Sequence, residues 1–136
     1  MSLNFGSGST NAQNNSGQGP NVQVPDVVAK KFNWGAFLLS WIWGIGNKTW
    51  ITFLVMPACF VPFVGGLICL GLQIWFGIKG NEWAWQNKKF ESVEAFHKNQ
   101  KTWAIVGAVL AVIGIILGAI GLFVTFSAMN SIGNYQ

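Results

Sequence analysis

The sequence predicts an all-α, helical integral membrane protein with two or more crossings and additional short interfacial helices. Two long segments, residues 50–78 and 102–136, carry no charged side chain. Charged residues make up 9% of the 136-residue chain, whereas a soluble domain has about 25%. The chain therefore lacks the polar side chains needed to cover a surface in water, and a lipid bilayer removes that requirement.

The first 25 residues have the composition of a disordered polar tail. They carry no charge and consist mostly of Gly, Ser, Asn and Gln, so they cannot bury enough apolar surface to offset the entropy lost on ordering. They also lack the cationic start and continuous apolar centre of a signal peptide. We expect residues 1–25 to be disordered and residues 26–136 to form a single helical membrane domain.

The first apolar block, residues 32–46, is too short to cross a bilayer. As a helix it would extend only ~22 Å, against a hydrocarbon core of ~30 Å. It contains Trp34, Trp41 and Trp43, and tryptophan is enriched at the headgroup boundary. The block is therefore expected to be an interfacial or partly inserted helix.

The second apolar block, residues 50–78, is interrupted by residues that break helices: Pro57, Pro62, Gly65 and Gly66. Either one kinked crossing or a hairpin that turns near residues 62–66 fits this pattern, and both stay open. A hairpin would place all eight lysines on one side of the membrane, whereas a single crossing would divide them. On one straight helix Cys59 and Cys69 would lie ~15 Å apart, too far for a disulfide, so we expect buried free thiols.

Residues 79–101 hold most of the charges and show moderate helical amphipathy, which favours a helix lying on the membrane surface. Lysine clusters beside apolar spans mark the cytoplasmic side of a cell membrane and contact anionic headgroups. We predict that this segment of a multi-pass protein is cytoplasmic. The predicted headgroup contacts are Lys30, Lys31, Lys48, Lys79, Lys88 and Lys89. The predicted interfacial tryptophans are Trp34, Trp41, Trp43, Trp83, Trp85 and Trp103.

Residues 103–129 form the clearest transmembrane helix, and small residues follow one another along it at steps of three or four. In lipid, helices associate where small side chains let two backbones approach closely. The predicted packing residues are Gly107, Ala111, Gly114, Gly118, Gly121 and Thr125. Their partner is either the 50–78 segment of the same chain, which we favour, or a second copy.

The sequence offers little for catalysis, metal binding or nucleic-acid binding. Glu94-x-x-His97 is a single copy of a pattern that di-iron carboxylate proteins use twice, and His97 is the one histidine. We predict no catalytic residue, metal ion, cofactor or enzymatic activity. All eight cationic side chains are lysines, so the arginine contacts typical of nucleic-acid binding are absent. No nucleic-acid partner is expected.

Aromatic and amide residues occur in an order found in a known family: Asn33-Trp34-Gly35-Ala36-Phe37, Trp41, Trp43, Asn47-Lys48 and Gly80-Asn81. Over residues 30–104 the chain resembles a family of small bacterial integral membrane proteins that share a domain of unknown function. The resemblance implies a membrane location and a helical architecture, and no activity. The motif also has a physical interpretation, in which Asn33 caps the first short helix and Gly80-Asn81 ends the span.

These observations predict a structural or accessory role through helix packing and lipid-surface contacts. The expected partners are membrane lipids and a second copy or another membrane protein. The alternative is a small oligomeric channel or transporter subunit, which would use Gln73, Lys48 or the glycine-lined face.

Overall fold

The computed structural model describes residues 14–133, which form an all-α fold, and this confirms the predicted fold class at that level. Within this range there are six α-helices, one 3-10 helix and no strand. In order, they are α1 Asp26–Ala29, α2 Trp34–Leu39, α3 Trp41–Gly46, the 3-10 helix Trp50–Leu54, α4 Val55–Cys59, α5 Gly65–Asn87 and α6 Val93–Gly133. The two long helices follow the short ones, and both pack against α2.

The segment predicted as one interfacial helix, residues 32–46, consists of two short helices with a sharp break at Ser40. Asn33 caps α2, because its Oδ1 accepts a hydrogen bond at 2.9 Å from a backbone N–H in the first turn. Ser40 has a φ of 39°, which ends α2 and redirects the chain into α3. Trp43 and Asn33 both donate to Gln100 Oε1, so α3 returns toward the start of α2.

Residues 50–78 form a hairpin, one of the two arrangements that the sequence left open. The first arm is the 3-10 helix followed by α4, and the second arm is the beginning of α5; a turn over residues 60–64 joins them. Across the arms, the Cα atoms of Cys59 and Cys69 lie 5.8 Å apart and the two side chains form a disulfide. The expectation of free thiols is wrong, because it placed both cysteines on one straight helix.

The charged segment 79–101 is divided between two helices and a loop instead of forming one surface helix. No helix end occurs at Gly80-Asn81, since α5 continues to Asn87 and α6 begins at Val93. Gly80 serves another purpose, because a Cβ at this position would lie 2.7 Å from the Ala36 Cβ of α2. This corrects the helix-ending role given to Gly80-Asn81. The predicted transmembrane helix 103–129 is the central part of the longer α6.

Helix α2 lies between the two long helices. Its beginning bonds to Gln100 and its end contacts Gly107, so α2 is parallel to α6. Helix α5 runs in the opposite direction to α6, because Trp85 packs on Phe96, whereas Asn81, one turn earlier in α5, shares a hydrogen-bond partner with Gln100, one turn later in α6. The hairpin tip, at the start of α5, therefore points to the same side as the C-terminal end of α6.

Residues 14–24 pack against the end of α5 and the loop that follows it. Gly17 N donates to Trp85 O at 2.7 Å, Phe90 N donates to Ser16 Oγ at 2.8 Å, and Trp85 Nε1 donates to Asn15 Oδ1 at 2.8 Å. This corrects the predicted disorder for the described part of the tail, where hydrogen bonds supply what apolar burial does not. Residues 1–13 lie outside the described residues.

Helix α6 is the one helix within residues 14–133 that is long and apolar enough to cross a membrane. Only 6% of its most apolar stretch is buried against the rest of the chain, so the helix is not the core helix of a globular domain. The hairpin also exposes large apolar side chains, among them Phe60, Phe63 and Leu67. Exposed apolar surface on this scale is typical of a site that meets lipid or another protein.

Candidate functional site

Four buried amide side chains meet where α2, α3, α5 and α6 come together; we call them the amide cluster: Asn33, Asn47, Asn81 and Gln100. Gln100 is the centre, because its Oε1 accepts hydrogen bonds from Asn33 Nδ2 and Trp43 Nε1, both at 2.9 Å. Its Nε2 donates to Asn47 Oδ1 at 2.8 Å. A single glutamine of α6 thus connects residues that are more than fifty positions earlier in the chain.

The other members complete the cluster without any charged side chain. Asn33 Nδ2 also donates to Asn81 Oδ1 at 2.8 Å, and Asn81 Nδ2 donates to the Lys31 backbone O at 2.8 Å. Asn47 Nδ2 donates to Trp43 O at 3.0 Å. Among the described residues no buried side-chain nitrogen or oxygen lacks a hydrogen-bond partner. A cluster that is satisfied in this way specifies how the helices pack and offers no nucleophile or general base.

Small residues next to the cluster allow the helices to approach one another closely. An added Cβ at Gly35 would meet the Trp103 side chain at 2.7 Å, and one at Gly44 would overlap Thr52 Oγ1 and lie 2.7 Å from Thr49 O. Among the residues that carry the family resemblance, Gly35, Ala36 and Gly80 pack helices together, and Asn33, Asn47 and Asn81 are members of the amide cluster. Sequence reasoning recognised the three asparagines only as motif or helix-boundary residues and missed Gln100, a polar residue between the aromatic residues of α6, as the centre of the cluster.

The six tryptophans predicted for the membrane interface occupy different environments. Trp34 is 57% exposed and Trp41 is also exposed, whereas Trp83 and Trp103 are half-buried. Trp43 and Trp85 are fully buried in the core. Their assignment to the interface is corrected, since a buried indole does not reach lipid headgroups. Each instead donates its Nε1–H to a side-chain oxygen of the protein.

The lysines predicted to contact headgroups all lie in the part of the structure that contains the amide cluster. Five are exposed: Lys30 pairs with Asp26, Lys79 pairs with Glu82, Lys89 Nζ donates to Asn14 O at 3.1 Å, and Lys31 and Lys48 face solvent. The sixth, Lys88, is half-buried, and its Nζ donates to Gly46 O at 3.1 Å. Lys88 also lies 5.5 Å from the centre of the Phe90 ring.

The small-residue stripe of α6 is used at one end only. Gly107 is buried against Leu38 and Leu39 of α2, and Ala111 is half-buried. At Gly114, Gly118 and Gly121 an added Cβ would meet nothing within 4 Å, and Thr125 is exposed. Within the described chain the stripe thus packs, at Gly107, against the end of α2, and not against the 50–78 hairpin that the sequence favours as its partner.

A cavity of about 280 Å³ opens beside the amide cluster. Its lining combines cluster members with three side chains that carry or accept positive charge: Lys31, Lys101 and His97. Burial of the imidazole, and Lys31 beside it, lower the pKa of His97 below the ordinary value of 6.5, while Glu94 and the Val27 backbone act in the opposite direction. His97 is therefore neutral at pH 7, and the lysines supply the positive charge of this cavity.

The residues named for other chemistry are not brought together. Gln73 is half-buried and lines a separate cavity of about 350 Å³, together with apolar residues of α2 and α4. Lys48 follows the end of α3, and the next residue, Thr49, accepts a hydrogen bond at its Oγ1 from Asn87 Nδ2. Among residues 14–133 no three His, Cys, Asp or Glu side chains are placed to hold a metal ion.

Comparison with known proteins adds no identity. No family model, curated protein or solved structure matches this chain. The conclusions on function therefore depend on the sequence and on the geometry described above.

Proposed function

We propose that the chain is an integral membrane protein of structural or accessory type, with one membrane-spanning helix and a hairpin that enters the bilayer from the same side. One observation supports this most strongly. All twelve charged residues lie in residues 14–49 and 79–101, which we call the polar end. The two uncharged segments, residues 50–78 and 102–133, leave the polar end in the same direction and expose their apolar side chains.

The lengths of these segments support a single crossing, where the sequence predicted two or more. At 1.5 Å per residue, residues 102–133 extend about 48 Å, which exceeds the ~30 Å of the hydrocarbon core. Helix α5 rises only ~21 Å from Lys79, its first charged residue, back to Gly65 at its start, so the hairpin tip lies ~20 Å beyond the charges. The hairpin is therefore a re-entrant segment, and N–H groups at its turn bond within the hairpin, among them Phe60 N to Pro57 O and Gly65 N to Val61 O.

The charge of the polar end supports its orientation and its contacts. It contains eight lysines and four carboxylates, and an excess of lysine is typical of the cytoplasmic face of a membrane. Its exposed lysines attract anionic headgroups by about 1 kcal/mol each. We place the polar end in the cytoplasm and the C-terminal end of α6 across the membrane, in line with the family resemblance.

The proposed accessory role rests on the part of the small-residue stripe of α6 that packs against nothing among the described residues. Beyond Ala111 its small-residue stripe has no partner in the described chain, so a second copy or another membrane protein is free to pack there. If it does, Gly118→Ile should weaken cross-linking between differently tagged copies, or to the partner, by about tenfold. The control Val112→Ile, on another face of α6, should leave cross-linking unchanged. Equal behaviour of the two variants would remove the stripe from this role.

The experiment that tests the proposed arrangement is cysteine accessibility in intact cells. Single cysteines at 48, 88 and 131 are introduced into a Cys59→Ala/Cys69→Ala background and treated with a membrane-impermeant maleimide before and after permeabilisation. We expect 48 and 88 to be labelled only after permeabilisation and 131 in intact cells. Labelling of 48 and 88 on opposite sides, or release of the protein from membranes by alkaline carbonate, would overturn the proposal.

A further inference from the structure

We propose that the cavity beside the amide cluster, together with a groove that continues from it along α6, binds one anionic phospholipid. The inference rests on the proposed membrane location. The groove has a volume of about 300 Å³ and lies between α2 and α6, lined by Trp34, Leu38, Lys101, Ala104, Ile105 and Ala108. It shares Trp34, Lys101 and Ala104 with the cavity, so the two adjoin at these residues, and we call them together the depression.

The lining side chains change along this depression from charged and polar to apolar, as a phospholipid changes from its headgroup to its acyl chains. The cavity presents Lys31, Lys101 and the buried amide of Asn81, all groups that donate to phosphate oxygens. Among the described residues Asn81 Nδ2 donates only to Lys31 O, which leaves its second N–H for a ligand. The groove presents Leu38 and the small side chains of α6, which suit an acyl chain.

The position of the depression also fits a lipid. Lys101 is the last charged residue of the chain, and every later residue of α6 is uncharged. The cavity therefore lies at the level expected for headgroups, and the groove extends from it toward the hydrocarbon. Trp34, 57% exposed at the junction, is a residue type enriched at that level. The two volumes together fall within the range of small-molecule sites.

The net charge of the site selects an anionic headgroup over a zwitterionic one. Lys31 and Lys101 are the two cationic side chains of the site, and both are exposed. The lowered pKa of His97 leaves the imidazole neutral at pH 7, with one ring N–H as donor. Glu94, which is exposed, is the one carboxylate that affects the pKa of His97. A phosphodiester with no compensating ammonium therefore gains most from the site.

The test measures lipid binding to the purified full-length protein in a non-ionic detergent, by native mass spectrometry. Dioleoylphosphatidylglycerol and dioleoylphosphatidylcholine are added at equal concentration. We expect at least about tenfold preference for the glycerol lipid, and loss of that preference in Lys31→Gln/Lys101→Gln. The charge-matched control Lys48→Gln/Lys98→Gln removes two lysines outside the depression and should keep the preference. Equal loss in both variants would show diffuse charge attraction and overturn the proposal.

A second pair of variants tests the groove and separates a lipid from a free phosphate. Ala108→Trp fills the groove and should lower phosphatidylglycerol binding by about tenfold, whereas Ala119→Trp, on the exposed part of α6, should not. Millimolar inorganic phosphate should fail to displace the lipid. Displacement by phosphate, with Ala108→Trp binding normally, would identify a phosphate site and overturn the lipid assignment. Either result leaves the topology experiment unaffected, so failure of this site is distinguishable from failure of the proposed membrane arrangement.

Discussion

Replacement of Gln100 by leucine isolates the energetic role of the amide cluster. The leucine side chain is of similar size but removes three hydrogen bonds of 2.8–2.9 Å. Asn33 Nδ2 keeps its bond to Asn81. Trp43 Nε1 and Asn47 Oδ1, both in side chains with 0% exposure, lose the partner that Gln100 provided.

The expected loss follows from the cost of leaving those two groups unpaired. Each buried donor or acceptor without a partner costs about 1–3 kcal/mol, and the added apolar burial of leucine returns about 1 kcal/mol. The free energy of unfolding should therefore fall by about 1–5 kcal/mol. It is measured by titrating the detergent-solubilised protein with a denaturing detergent and following tryptophan fluorescence.

The control for this variant is Thr102→Val, two residues along the same helix. Thr102 is exposed and its hydroxyl donates to Lys98 O within α6, so the change should cost less than about 0.5 kcal/mol. A Gln100→Leu variant that also loses less than about 1 kcal/mol would refute the view that the cluster holds the helices together.

Three further predictions concern packing, the disulfide and pH. Gly44→Ala should lower the free energy of unfolding by about 2 kcal/mol or more, because a Cβ would overlap the Thr52 hydroxyl of the 3-10 helix. The control Gly71→Ala, where a Cβ would face open space, should change the free energy of unfolding by no more than about 1 kcal/mol. Equal effects of the two variants would contradict the packing argument. Denatured protein should take up maleimide at Cys59 and Cys69 only after reduction, so uptake beforehand would argue against the disulfide. Because the pKa of His97 is lowered in the folded state, the unfolded chain binds its proton first as pH falls below about 6.5, and stability should decline from pH 7 toward pH 5. His97→Gln should remove that part of the slope in pH-dependent unfolding, and an unchanged slope would exclude this residue as its source.

The elements that the sequence predicted well are those that depend on local features. Apolar runs longer than a membrane is thick identified α6, and the glycines and prolines near Pro62 correctly allowed a hairpin turn. Asn33 was recognised as a helix cap because capping needs only a short polar side chain before a helix. Each of these signals lies within a few neighbouring residues, so one sequence is sufficient to read it.

The candidate site depends on contacts that local patterns do not encode. Asn33 and Gln100 are 67 positions apart, and Asn33 and Asn81 are 48 positions apart. Likewise, nothing near Trp43 or Trp85 distinguishes a buried indole from one at a membrane interface, because both need an apolar environment and one hydrogen-bond acceptor. The packing of residues 14–24 was missed for a related reason, since it consists of hydrogen bonds to a distant backbone.

The position of Gln100 in the chain also constrains when the protein can assemble. Ribosomal synthesis delivers Asn33, Trp43 and Asn47 long before the glutamine that satisfies them, and most of the remaining chain after it is the apolar part of α6. Until that glutamine emerges, the early amides must stay hydrated or bind a substitute such as a chaperone. Assembly of the polar end around the amide cluster should therefore be a late event that follows the synthesis of Gln100.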